Sequence, residues 1–144
     1  MAKLLIIYHS QSGNTEEMAK AVYEGALSAK ATVSLKKAAE ATSDDFLGCD
    51  AVILGSPNYF SYMAGAVKDF FDRTFYALKD KVNEKPYALF GSHGTGGTKA
   101  LDSLDRLCDN LKLKKAAENV AALRKASPEV LEECKELGGK LAQS

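Results

Sequence analysis

Residues 4–15 read L-L-I-I-Y-H-S-Q-S-G-N-T. Leu4 to Tyr8 is an unbroken apolar run, the pattern of a strand covered on both faces. It gives way to hydroxyls, an amide and a glycine. From Asn14 onward the period changes. Met18, Val22, Gly25, Ala26 and Ala29 recur at helical spacing, which predicts a helix over about 14–29. A buried strand, a short polar loop and a helix open a βα unit, and joints this short require a parallel sheet.

The same alternation continues along the chain. Thr32 to Leu35 reads as a weaker strand, and Thr42, Ser43 and Asp44 cap a short helix ending near Leu47. Ala51 to Leu54 is a second fully buried strand, closed by Gly55. Val67, Phe70, Phe71, Thr74, Phe75 and Leu78 mark an amphipathic helix, and Tyr87 to Phe90 a strand closed by Gly91. Leu101, Leu104, Cys108 and Leu111 mark the next helix, and Val120 to Leu123 the final strand. Ser127-Pro128-Glu129 starts the last helix, with proline at its first position. Five strands and five helices predict a doubly wound parallel α/β sheet in three layers, with residues 1–144 forming one domain.

Bulk properties narrow the function. Nineteen Lys and Arg balance nineteen Asp and Glu, so neither nucleic acid nor an anionic membrane surface is an expected partner. No apolar run approaches the roughly 20 residues of a spanning helix. The first strand opens within a few residues of Met1, which predicts no signal peptide and a cytoplasmic protein. Cys49, Cys108 and Cys134 form no CxxC pair and read as buried thiols, so no metal site is expected.

In such a sheet ligands bind beyond the carboxyl ends of the strands. Three loops there are unusual. In the first, Ser10, Gln11, Ser12, Gly13, Asn14 and Thr15 place hydroxyls, an amide side chain and a helix N-terminus together, without lysine or arginine. A monophosphate suits this set. A Walker loop needs a second glycine and a lysine, and neither is present. The plain alternative is a helix capped by Ser12 or Asn14. The second loop, Ser56 to Met63, carries Pro57, Asn58, Tyr59, Phe60 and Tyr62 and no charge. Its rings suit a planar heteroaromatic group or a subunit interface. The third, S-H-G-T-G-G-T over 92–98, offers Ser92, His93 and the backbone at Gly94, Gly96 and Gly97 to a ligand's polar edge. His93 is a credible proton donor near neutral pH.

Together the loops resemble the flavodoxin-like family of FMN-binding proteins, whose phosphate loop has the form [ST]-x-[ST]-G-N-[ST]. That family is itself one of the cases behind the strand-end rule. The resemblance spans the chain and implies strand order 2-1-3-4-5, with FMN held by the residues just named. The G-S-P-N-Y-F-S-Y-M-A-G and S-H-G-T-G-G segments are closer to the small flavodoxin-fold NAD(P)H:quinone reductases. There is no tryptophan, no aromatic between Gly91 and Thr98, and no acidic excess, all of which electron carriers usually have.

The expectation is therefore an FMN-dependent reductase. NAD(P)H would be the electron donor and a quinone or similar small molecule the acceptor, with His93 as the catalytic candidate and a second subunit as a candidate partner. The alternatives are an electron-carrier flavodoxin serving a redox protein, and a flavin-free interaction domain. Elsewhere, His9 reads as a packed histidine. Lys68–Asp72 and Asp69–Arg73 read as helix-face pairs, and Lys112 to Lys115 as a solvated helix end.

Overall fold

Alternate residues of the first strand, β1 (Lys3–Tyr8), serve opposite layers of the molecule. Leu5 and Ile7 face one core with Val52, Leu54, Tyr87 and Leu89. Leu4, Ile6 and Tyr8 face a second core with Ile53, Ala88 and Phe90. A strand buried on both sides needs no polar alternation, which is why its sequence reads as a continuous apolar run. The computed structural model describes residues 2–94 and 97–144.

Helix α1 (Asn14–Ser28) follows, then β2 (Thr32–Lys37), α2 (Ser43–Leu47) and β3 (Ala51–Gly55). A two-strand hairpin of β4 (Asn58–Tyr59) and β5 (Tyr62–Met63) leads to α3 (Gly65–Leu78). Then come β6 (Pro86–His93), α4 (Lys99–Asn110), β7 (Lys114–Lys115), β8 (Val120–Leu123) and α5 (Pro128–Ala142). The main sheet is parallel with order β2-β1-β3-β6-β7, and β8 also pairs with β6. Because β7 and β8 occupy the same edge of β6, the order is the expected 2-1-3-4-5 with a fifth strand in two pieces. Helices α1 and α5 pack on one face, and α2, α3 and α4 on the other.

Four details depart from the sequence expectation. Strand β6 runs on through Gly91 to His93 instead of closing at Phe90, because β8 supplies a partner along Phe90 to His93. Gly91 sits inside that strand, where a Cβ would fall on the carbonyl oxygen of Ser56. The second loop contains the β4–β5 hairpin. Lys114 and Lys115 are exposed, as expected, but form a short strand instead of a helix end: they pair beside Pro86 and Tyr87, and Lys115 Nζ lies 3.1 Å from Asp105 Oδ2. Finally, α1 is capped by Gly13 in the left-handed region (φ 97°), with no side-chain cap from Ser12 or Asn14.

Other readings match. Thr42 and Asp45 close a reciprocal capping box on α2, and Ser127 caps α5 ahead of Pro128. Lys68–Asp72 and Arg73–Asp69 pair along α3 at 2.6 and 2.8 Å. Arg73 also donates to the carbonyls of Ala38 and Ala41, tying α3 to the segment after β2. The three cysteines are buried and unpaired. Desolvation first of all pushes the Cys49 thiol up to about 11 and the Cys134 thiol up to about 12, and holds Cys108 well above the ordinary range. Such thiols are protonated and unreactive at neutral pH. No helix among the described residues is long and apolar enough to cross a membrane.

Candidate functional site

The chain leaves β1 toward one side of the sheet and β3 toward the other, so the loops after these neighbouring strands part and leave a crevice. A cleft of about 200 Å³ opens there. It is lined by Ser10, Gln11, Ser12, Asn14 and Thr15 from the first loop, Pro57, Asn58 and Tyr59 from the second, and Ser92, His93 and Gly94 from the third. Eleven of the expected residues thus share one wall-to-wall space.

The first loop is tightened from within. The Gly13 amide donates to Ser10 Oγ at 3.1 Å, and the Glu17 amide donates to the Gly13 carbonyl at 3.0 Å. Among the described residues nothing accepts from the amides of Asn14, Thr15 and Glu16. Those free N–H groups and the helix dipole favour an anion. The two carboxylates of this first turn do not take them. Glu16 Oε2 accepts from the Tyr8 hydroxyl at 2.7 Å, and Glu17 Oε2 lies 3.2 Å from Lys125 Nζ. Thr15 is buried, and its hydroxyl meets that of Ser92 at 2.7 Å.

The second loop is anchored on both sides. Ser56 Oγ accepts from the Ala64 amide at 2.9 Å. Asn58 Oδ1 accepts from the Ala100 amide at 3.0 Å, so this side chain holds the start of α4. The Tyr59 ring meets His9 edge-on, with centroids 6.1 Å apart. Burial pushes the Tyr59 phenol up, and the Gln11 backbone opposes that shift. His9 therefore packs on the second loop, as its sequence reading expects. Phe60 does not line the cleft. It stands at the hairpin tip, 103% exposed, with φ 53°, followed by Ser61 with φ 61°.

In the third loop His93 Nδ1 is buried and has no hydrogen-bond partner among the described residues. Gly97 (φ 70°) sits at the entry to α4, in a small recess with Asn58 and Thr98. Gly96 lies outside the described residues. Gly13 faces a larger cleft of about 540 Å³ on the far side of the first loop, with Tyr8, His9, Glu16 and Lys37.

One lining residue escapes the sequence reading. Arg124, just past β8, joins the cleft because its amide donates to the His93 carbonyl at 2.7 Å. Its position depends on β8 pairing with β6, which no local pattern reveals. The only signal in the sequence is two basic residues, Arg124 and Lys125, following a strand end. Free amides at a helix start, an orphaned imidazole nitrogen and neutral hydroxyls suit a phosphate joined to a flat polar ring. Among the described residues no carboxylate lines the cleft.

Comparison with known proteins agrees with this geometry. The profile of the NADPH-dependent FMN reductase family matches residues 2–128. The chain is 39% identical over 98 residues to a flavodoxin of Aquifex aeolicus (strain VF5), covering 67% of this chain and 53% of that protein. It is 36% identical over 117 aligned residues to NAD(P)H dehydrogenase (quinone) 3 of Rhizobium meliloti (strain 1021), covering 66% and 55%. The chain thus spans about half the length of these curated relatives. A solved flavodoxin from the domain Archaea superposes with a TM-score of 0.88 at 27% identity, covering 98% of this chain and 96% of that one.

Proposed function

The chain belongs to the NADPH-dependent FMN reductase family of flavodoxin-fold FMN-binding proteins, and on that premise we propose that it is an FMN-dependent reductase passing electrons from NAD(P)H to a quinone or similar small acceptor. FMN supplies the hydride-accepting and electron-donating centre, while the protein binds, orients and sets the local charge.

The observation that carries this reading is electrostatic. None of the twelve residues lining the cleft is a carboxylate, and one is an arginine. Negative charge arriving with a pair of electrons meets no protein carboxylate there. Ser10, Ser12, Asn14 and the free amides of α1 bind the phosphate. The buried Thr15–Ser92 pair fixes the distance between the phosphate loop and the third loop. Tyr59 and the backbone of Pro57 and Asn58 flank the ring, and Gly94 and Gly97 leave its polar edge open. His93, which lines the cleft, holds a proton at the acceptor's oxygen. A second subunit packing on the Phe60 hairpin completes the acceptor side of the cleft.

Steady-state oxidation of NADH or NADPH with benzoquinone tests the proposal. The FMN-loaded protein turns over, and His93→Ala lowers kcat while FMN stays bound. Absence of turnover with either donor contradicts it.

Electron carriage is the second reading, favoured by the exposed ring of Phe60 beside the cleft and by the near-complete overlap with the archaeal flavodoxin. It predicts reduction by a partner protein at a rate that falls as salt rises.

A further inference from the structure

We propose that Arg124 is the cationic partner of the flavin phosphate, although the phosphate loop itself carries no cation. The inference rests on the FMN reading above and extends it to a residue outside the loop.

Three observations carry it. First, Arg124 lines the same cleft as Ser12, Asn14 and Thr15 and is the one charged residue there. Second, its backbone is held in a demanding state. It sits at φ 57°, in the left-handed region that residues with a side chain seldom adopt. The bond from its amide to the His93 carbonyl, 2.7 Å long, keeps it there. That bond pins Arg124 at the rim of the cleft, beside the third loop. Third, the charges around it are already matched. Lys125 pairs with Glu17, and Glu16 accepts from Tyr8, so neither carboxylate of the first turn is left to claim the guanidinium. Among the described residues Arg124 has no ion-pair partner. A planar guanidinium matches a phosphate's oxygens two at a time, and its charge adds to that of the helix end.

The test separates the phosphate from the ring. Affinities of the apoprotein for FMN and for riboflavin, which lacks the phosphate, are measured by quenching of flavin fluorescence at low and high salt. Arg124→Asn keeps a residue that tolerates the left-handed backbone and removes the charge; Arg124→Lys keeps the charge. Circular dichroism checks that each variant folds. Arg124→Asn weakens FMN binding about threefold to tenfold at low salt, leaves riboflavin affinity unchanged, and flattens the salt dependence for FMN. Arg124→Lys restores part of the loss. Equal loss for both flavins, or no loss for either while the wild type binds FMN, overturns the role of Arg124 and leaves the FMN reading standing. A wild type that binds riboflavin and FMN equally well also overturns it, and one that binds neither overturns both readings.

Discussion

The hydroxyls of Thr15 and Ser92 lie 2.7 Å apart in the protein interior, although 77 positions separate them in the chain. Thr15 is 1% exposed and Ser92 7%, so each is the other's only polar partner among the described residues. The bond ties the first turn of α1 to the end of β6. Ser92→Ala strands a buried hydroxyl on Thr15 and lowers stability by about 1–3 kcal/mol. The double variant Thr15→Val, Ser92→Ala loses less than the two singles combined, because no orphan remains. Urea denaturation of the four proteins reads this directly, and additive losses would refute the pairing.

The β4–β5 hairpin turns at Phe60 and Ser61, both with positive φ, the backbone that Asn-Gly fills best. A bulky ring is a poor occupant, and this one is fully exposed. Phe60→Asn should therefore raise stability by about 1 kcal/mol. If the ring contacts the electron acceptor, the same change raises the KM for quinone severalfold while the affinity for FMN holds. A stabilised variant with an unaltered KM would mean that the ring has no such role.

Helices α1 and α5 approach closely enough that a Cβ on Gly138 would fall on the carbonyl of Val22, while a Cβ on Gly139 meets only Gly25 O, at 3.8 Å. These adjacent glycines should respond with opposite signs. Gly138→Ala forces the helices apart and costs about 1–3 kcal/mol. Gly139→Ala gains up to about 1 kcal/mol of helix propensity. Thermal unfolding distinguishes the two, and equal shifts would contradict the close approach.

Burial, reinforced by the hydrogen bond to Glu16, pushes the Tyr8 phenol up to about 12. An unfolded tyrosine titrates near 10. The folded state thus binds the proton more tightly. Its contribution is complete below about pH 10 and is lost as pH rises from about 10 through about 12. Tyr8→Phe should flatten the alkaline limb of a stability profile and leave its pH dependence between about 6 and 9 unchanged. An identical alkaline limb in the variant would contradict the linkage.

How far the sequence alone reaches differs by level. The strands buried on both faces, Leu4 to Tyr8 and Ala51 to Leu54, are legible because burial leaves an unbroken apolar run. The helices are legible because one face repeats at their own period. The phosphate loop is legible because its chemistry is contiguous. What was hidden depends on pairing between distant segments. Strand β6 extends to His93 only because β8 lies beside it, and the same pairing delivers Arg124 to the cleft. Asn58 reads as a backbone contact and does line the cleft, but the bond its side chain accepts from Ala100, 42 positions away, has no local signal. Phe60 reads as a ring-covering residue; the positive-φ turn that leaves its ring exposed has no local signal.

The central claim is that a cleft without carboxylates suits two-electron chemistry. Anaerobic reductive titration of the FMN-loaded protein, followed by its visible spectrum, tests it most directly. The account predicts one two-electron transition from the oxidised to the fully reduced spectrum, with no one-electron form accumulating. A long-lived one-electron-reduced form, with a second potential far below that of free FMN, would contradict it.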